Sequence, residues 1–247
     1  AFLFKSEKRF SNGLQFLVAY AFSKTLTDIA FDGTDLTAPQ DQYNRRVEKA
    51  LANTDIPNRL VLSYSYELPF GKGKRWLNSP GIADVLLGGW SVAGIHTYQK
   101  SGPLRVSTPN GLPIFNGHLR PNRVAGQDIR IGPSRGDFEP LNALTGQTGD
   151  LYLNRAAFAT PDPFTFGNLG VFLPNVRGFG SAGEDLSLAK RVNLREKWSM
   201  EFRGDLFNAF NRRNLNNPVA DLTNPNFGRV NGQGAARVIQ LGWRMDF

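Results

Sequence analysis

The last ten residues of the chain alternate between apolar and polar side chains without a break. One parity holds the large apolar residues Ile239, Leu241, Trp243, Met245 and Phe247, and the other holds Val238, Gln240, Gly242, Arg244 and Asp246. A period of two is that of a β-strand with two unlike faces. A strand that faces lipid on one side and water on the other has this pattern, so it predicts a membrane-spanning strand.

The composition excludes several other classes of protein. The 247 residues include no cysteine, so neither a disulfide framework nor a thiolate metal site is expected. No window is apolar enough for a transmembrane helix. The formal net charge is +8, but the longest basic run, Lys72-Gly73-Lys74-Arg75, is too short for a nucleic-acid interface. We predict solvated basic residues and no nucleic-acid partner, while attraction to anionic lipid head groups or anionic ligands stays open.

Six further segments alternate in the same way and are predicted as strands: residues 2–10, 14–24, 57–68, 90–99, 184–192 and 197–211. Strands of soluble proteins average about 5 to 6 residues, whereas these have roughly 9 to 14. Eleven residues tilted by about 40° rise about 28 Å, enough to cross an apolar band of about 25 Å. In residues 90–99 the faces are not clearly separated, because His96 shares the parity of Trp90 and Ile95 lies opposite.

The connections between these strands alternate in length. Residues 11–13, 69–89 and 193–196 form the shorter ones, and long loops are predicted near 25–56, 101–183 and 212–236. All long loops therefore leave from one end of the sheet, which is typical of outer-membrane barrels with extracellular loops and periplasmic turns. Short helical pieces are expected within 43–53 and 82–87. An unstructured insertion as long as 101–183 argues against a compact soluble domain, and we expect a surface loop.

Aromatic residues lie near the predicted strand ends, where an interfacial girdle would need them. They are Tyr20, Phe22, Tyr64, Tyr66, Trp90, Tyr98, Trp198, Phe210, Trp243 and Phe247. Lys8 and Lys190 fall on the apolar parity and contradict the pattern. Either their long stems lift the ammonium groups into the head-group region, or a β-bulge switches the parity.

Motifs for catalysis or metal binding are weak. Residues 178–183 match a dinucleotide fingerprint by spacing, but the strand before it and the helix after it are missing. His96 and His118 have no partner at metal-ligand spacing. The aspartates of the first long loop (Asp28, Asp32, Asp35 and Asp41) lack EF-hand spacing, so solvated carboxylates are favoured over a loose calcium site. We predict no enzyme activity, no catalytic residue, no cofactor and no metal.

Glu201, Arg203 and Asp205 share the polar parity of one predicted strand. We interpret them as a lumen-facing charge ladder that pairs with neighbouring strands or with a plug. Direct contact with a ligand is the alternative.

Several stretches together resemble TonB-dependent outer-membrane receptors, and most closely the Oar-like subgroup, whose members often carry a carboxypeptidase-regulatory-like domain. The matching stretches are 8–24, 55–73, 89–102, 154–158 with 166–168, 185–188, 202–211 and the terminal Phe247. They cover nearly the whole chain, and they are specific only in combination.

The resemblance implies a barrel of about 22 strands around a plug, of which this chain would supply the last seven. Ala1 lies inside a predicted strand, and we expect a carboxy-terminal piece of a longer protein, without plug or TonB box. The expected partners are outer-membrane lipid, the amino-terminal plug and remaining strands of the same protein, the TonB complex through that missing part, and the barrel-assembly machinery. That machinery would read the terminal strand (Ile239, Leu241, Trp243, Met245 and Phe247) as an assembly signal.

The sequence thus predicts an all-β protein: an incomplete transmembrane antiparallel barrel of about seven long strands in the outer membrane of a Gram-negative bacterium. The favoured function is a TonB-dependent receptor that binds and imports a bulky ligand, whose identity and binding residues stay unknown. The alternatives are an ungated porin or adhesin and a soluble all-β binding module. The soluble module would bury Leu241 and Trp243 in a dry interior.

Overall fold

One antiparallel sheet of seven long strands dominates the structure, a computed structural model that describes residues 1–28, 39–78, 81–111, 119–142, 144–195 and 198–247. The strands are β1 (Phe2–Ser11), β2 (Leu14–Phe22), β3 (Asn58–Glu67), β4 (Trp90–Gln99), β5 (Ser181–Arg195), β6 (Trp198–Phe207) and β7 (Val238–Asp246). Each strand pairs with its neighbours in the chain, so β1 and β7 are the two edges of the described sheet. The prediction of seven long antiparallel strands is confirmed.

The predicted bounds of two strands were wrong by three residues or more. β5 begins at Ser181 rather than at residue 184 and continues through Arg195, into the segment predicted as a turn. β6 ends at Phe207 rather than at Asn211. Asn208 and Asn211 have φ angles of 51° and 52°, a left-handed conformation that cannot continue a strand. Phe210 therefore lies beyond the strand.

The remaining regular elements are short. The α-helix α1 spans Ile82–Leu87, as predicted, and the expected helix within 43–53 is a single 3₁₀ turn, Arg45–Glu48. A second 3₁₀ turn spans Arg155–Ala157. Two pairs of two-residue strands join Leu26–Thr27 to Ala50–Leu51 and Asn122–Arg123 to Phe158–Ala159. In the part of the chain that the structure describes, no helix is long and apolar enough to cross a bilayer.

The cross-strand register sorts the side chains of the sheet onto an apolar and a polar face. One continuous row across β2 to β7 consists of Phe16, Tyr64, Gly94, Leu186, Leu206 and Ile239. The neighbouring row on the opposite face consists of Gln15, Ser65, Ala93, Ser187, Asp205 and Gln240. The register also assigns β4: Trp90 and His96 lie on the apolar face and Ile95 on the polar face.

The two lysines on the apolar face have different surroundings. Lys190 pairs with Trp90 and Phe202 in an unbroken register, so the β-bulge explanation is wrong for this residue. Its side chain is buried, it donates a hydrogen bond to the Gly88 carbonyl at the short-turn rim, and its ammonium lies 5.5 Å from the centre of the Trp90 ring. The other explanation, a stem that lifts the ammonium toward the head groups, stays a prediction. Lys8 pairs in the regular register, but the register shifts between Lys8 and Ser11. The alternation therefore does not predict which face the residues after Lys8 occupy.

The hydrophobic core lies in the loops and not on the sheet. Buried apolar residues between 104 and 230 form one cluster, whereas Leu241 and Trp243 on the apolar face of β7 are 82% and 69% exposed. The long loop predicted at 101–183 therefore contributes to a packed core, which the sequence did not indicate. The exposed apolar face contradicts the soluble module, which required a dry interior at these two residues.

Candidate functional site: a folded cap and the polar face

The long loops pack into one unit, which we call the cap: the described residues of 101–180 and 208–237. At its centre the ring of Phe138 lies 6.2 Å from that of Tyr152 and 5.1 Å from that of Phe179. Phe138 and Leu153 are completely buried. Burial and edge-to-face ring packing are what stabilise a globular core, so the cap has a stable hydrophobic core of its own.

The two loops of the cap meet along their backbones. The Gly228 carbonyl accepts hydrogen bonds from the amides of Tyr152 (2.7 Å) and Leu153 (3.2 Å). Gly228 has a φ of +83°, and a Cβ there would lie 2.2 Å from the Leu153 carbonyl oxygen. Only glycine allows this approach, which joins residues about 75 positions apart in the chain.

A buried ion pair attaches the first long loop to the cap. Arg120 Nη1 lies 3.1 Å from Glu48 Oε2, and both side chains are almost fully buried. Gln40 joins them: its backbone amide donates to Glu48 Oε1, and its side-chain oxygen accepts from the Arg120 amide. Burial lowers the pKa of the Arg120 guanidinium, and the Glu48 carboxylate opposes this shift. Gln40 Nε2 also donates to the Gly167 carbonyl, which closes the network.

A second buried carboxylate holds the loops together at the rim of the sheet. Asp55 is completely buried and accepts hydrogen bonds from the backbone amide of Thr25 and from the Arg177 guanidinium. Arg177 also donates to the carbonyls of Asp55 and Ser101. The start of the first loop and both ends of the second are therefore tied to one carboxylate.

The cap is fixed to the sheet through β5. Glu184 is completely buried, its carbonyl accepts from the Ala209 amide at 2.7 Å, and its carboxylate pairs with Arg212 at 3.1 Å. Asn214 exchanges two hydrogen bonds with the backbone of Ala182. These contacts fix the start of the third long loop to β5.

An exposed turn of the cap carries a perturbed carboxyl group. Asp221 accepts hydrogen bonds from the Thr223 backbone amide at 2.9 Å and from its hydroxyl at 2.8 Å. These bonds favour the ionised form and lower the pKa of Asp221.

The polar face of the sheet lines an open cavity of about 790 Å³. Its wall includes charged residues from the first and sixth strands: Lys5, Glu7, Arg203 and Asp205. Because one cavity is lined from β1 to β6, the sheet curls with its polar face inward. Arg203 Nε pairs with Asp205 Oδ1 at 2.8 Å, while Glu201 is placed by the register between Arg191 on β5 and Arg244 on β7. The charge ladder thus includes one ion pair, and its contact with a plug or a ligand stays a prediction.

The residues predicted as an assembly signal (Ile239, Leu241, Trp243, Met245 and Phe247) all have large exposed fractions. The ring of Phe247 lies 6.1 Å from that of Trp198, at the start of the neighbouring strand. The geometry leaves this row available to lipid or to another protein, and its role in assembly stays a prediction.

The groups considered for metal binding do not come together in the described ranges, which contain no cluster of three or more histidine, aspartate or glutamate residues suited to a metal ion. His96 stacks on Tyr64 at 5.7 Å on the apolar face. His118, Asp32 and Asp35 lie outside the described residues.

The buried network of Gln40, Glu48 and Arg120 was not predicted from the sequence. Arg120 lies 72 residues from Glu48 and 80 from Gln40 in the chain, and no spacing marks the three as partners. The aromatic core had a weak signal, since Phe138, Tyr152 and Phe179 are large apolar residues in an insertion rich in Gly, Pro and Asn.

Comparison with known proteins agrees with this geometry. A family model described as an outer membrane beta barrel domain matches residues 1–240. No curated protein and no solved structure matches the chain. The alternating strands, the inward polar face and the outward apolar face are those of a barrel wall in a bilayer. The chain therefore belongs to the outer-membrane β-barrel family and is located in the outer membrane of a Gram-negative bacterium.

Proposed function

We propose that this chain is the carboxy-terminal wall of a TonB-dependent transporter of the Oar-like type, which binds a bulky ligand at its cap and imports it. The observation that carries the proposal is the cap. Loops that leave one rim of the sheet fold around a common core and two buried carboxylates, Glu48 and Asp55. Such a unit presents a preformed outer surface, as recognition of a large ligand requires.

The edges of the sheet support a wide barrel. Among the described residues, β1 pairs only with β2 and β7 only with β6. An unpaired edge in hydrocarbon leaves backbone groups without hydrogen bonds, so further strands have to complete the wall. Barrels with many strands have a lumen too wide to be filled by side chains, and in outer-membrane transporters a plug fills it.

The polar face is suited to contact with such a plug. The cavity on this face is lined by charges of both signs, from Lys5, Glu7, Arg203 and Asp205. A mixed, hydrated wall of this kind can pair with a folded polar domain and release it when force is applied, because each exposed ion pair contributes only about 0 to 1 kcal/mol.

Two measurements on the full-length protein test the proposal. In planar lipid bilayers the intact transporter should not conduct ions, and a variant of the full-length protein that lacks only the plug, with all barrel strands retained, should form open pores. The purified periplasmic domain of TonB from the same organism should bind the intact protein and not that variant.

The second candidate, an ungated porin or adhesin, predicts other results. A porin has no plug and conducts as soon as the full-length protein inserts. An adhesin does not retain the TonB domain. Immediate conductance, or no binding of the TonB domain, would therefore refute the transporter.

A further inference from the structure

The connection between β3 and β4, residues 68–89, carries an exposed apolar helix at the short-turn rim. Ile82, Val85 and Leu86 of α1 are 80%, 57% and 62% exposed. Their spacing of three and four residues places them on one side of the helix. Leu87 is also exposed, as are Trp76 and Leu77 nearby. An apolar stripe of this kind on a short helix is normally covered.

The helix is attached to the lipid-facing side of the sheet. Trp90 Nε1 donates to the Leu86 carbonyl at 2.9 Å, and the buried Lys190 donates to the Gly88 carbonyl. Trp90 and Lys190 face each other on the apolar face, near the rim with the short turns. In this class of barrels that rim is periplasmic. The apolar stripe of α1 is therefore continuous with the surface that contacts lipid.

Internal contacts hold the helix in this position. The Asp84 carboxylate accepts from the Lys72 backbone amide at 2.7 Å, and the rings of Phe70 and Trp76 lie 5.5 Å apart. Gly71 has a φ of +104°, and a Cβ there would lie 2.6 Å from Gly88 Cα, so the turn packs directly on the end of the helix. The exposed side chains are thus presented by a built structure.

The same connection is basic. It contains three basic residues, Lys72, Lys74 and Arg75, and one acidic residue, Asp84, which is engaged by the Lys72 backbone. Lys74 pairs with Glu67 at 2.6 Å, and the exposed Arg75 guanidinium lies 5.5 Å from the centre of the Trp76 ring. Basic residues beside an apolar stripe and a tryptophan are the composition of a segment that binds the interface of an anionic membrane.

We propose that residues 70–78 and 81–88 form an interfacial anchor that inserts Ile82, Val85, Leu86 and Leu87 into the periplasmic leaflet, with Lys72 and Arg75 against the phosphates of anionic phospholipids. The anchor fixes the height of the wall in the bilayer on that side. It does not depend on whether the protein transports a ligand.

The absence of cysteine from this chain gives a direct test. Leu86→Cys and, as a matched control, Leu144→Cys are made in the full-length protein without other cysteines. Leu144 lies in the cap and is 98% exposed. In nanodiscs of equimolar phosphatidylcholine and phosphatidylglycerol, a water-soluble maleimide should label position 86 about tenfold or more slowly than position 144, the factor expected from burial of one leucine side chain. A fluorophore at position 86, and not at 144, should be quenched by nitroxide-labelled phospholipid.

The role of the basic residues has its own variant. Lys72→Gln with Arg75→Gln, in the Leu86→Cys background, should speed labelling in the anionic nanodiscs and leave it unchanged in pure phosphatidylcholine. Equal labelling rates at positions 86 and 144 would overturn the anchor. Slow labelling without quenching by lipid would also overturn it, since a protein and not lipid would then cover the helix. An equal effect of the double substitution in both lipids would refute the phosphate contact.

Discussion

Replacement of Glu48 by glutamine tests whether a buried ion pair holds the cap together. In the native protein Glu48 accepts from Arg120 at 3.1 Å and from the Gln40 amide at 3.1 Å, and its side chain is 2% exposed. Glutamine keeps the shape and one acceptor oxygen but removes the negative charge. The Arg120 guanidinium then stays buried, with the Val47 carbonyl at 3.3 Å as its remaining described acceptor on Nη1.

The expected effect is large. Removal of one partner from a buried ion pair typically costs about 3 to 5 kcal/mol, because the other charge stays buried without compensation. The lower value corresponds to about a hundredfold increase in the equilibrium constant for opening of the cap. The exposed pair between Arg45 and Asp28, in the same loop, is worth about 0 to 1 kcal/mol.

Hydrogen exchange of the full-length protein in nanodiscs measures the opening directly. The amide of Val124 donates to the Ala157 carbonyl next to the network and should exchange about a hundredfold faster in Glu48→Gln. Asp28→Asn is the matched control and should leave this rate nearly unchanged. Adding Arg120→Gln to Glu48→Gln should restore part of the protection, since the uncompensated charge is then gone.

The reasoning fails if Glu48→Gln and the control Asp28→Asn change the exchange rate of Val124 equally. It also fails if the double variant, Glu48→Gln with Arg120→Gln, exchanges at least as fast as Glu48→Gln alone. In either case the cap would be held by its apolar core alone.

Three further predictions concern the wall and the cap. Phe247→Asp should lower the amount of protein in the outer membrane, whereas Phe164→Asp, at an exposed position of the cap, should not; immunoblots of membrane fractions decide. Leu241→Arg, near the middle of a lipid-facing row, should destabilise the barrel by about 2 to 4 kcal/mol in urea unfolding from lipid vesicles, and Gln240→Arg on the polar face by much less. Because the pKa of Asp221 is lower in the folded protein than its ordinary value of 3.8, the ionised carboxylate stabilises the cap at pH values above 3.8. This stabilisation is lost as the pH falls through the pKa of the folded protein. In Asp221→Asn, hydrogen exchange of the surrounding turn should lack that part of the acid dependence.

The wall could be predicted from the sequence because its rule is local. A bilayer outside and water inside impose a period of two on each strand, and β7 shows that period over its whole length. Errors arose at strand ends, where Asn208 adopts a left-handed conformation that no alternation reveals. The burial of Lys190 under the turn before β4 could not be predicted, because its hydrogen-bond partner Gly88 is 102 residues away in the chain.

The cap could not be predicted because its contacts are distant and aperiodic. Gln40 bonds to Gly167 and Arg120 across 127 and 80 residues, and neither spacing nor composition marks them as neighbours. The sequence allowed the inference that a structureless stretch of this length is unusual. It did not show that such a stretch would close around Phe138 and Leu153.

Because the hydrophobic core lies in the loops, the two parts of this protein are stabilised in different solvents, the sheet in lipid and the cap in water. The apolar face of the strands is shielded from water only while lipid surrounds it, whereas the loops bury their apolar side chains against one another. Residues on the outward surface of the cap can therefore be exchanged without altering how the strands are seated. Substitutions on that surface can therefore accumulate while the strands stay inserted in the membrane as before.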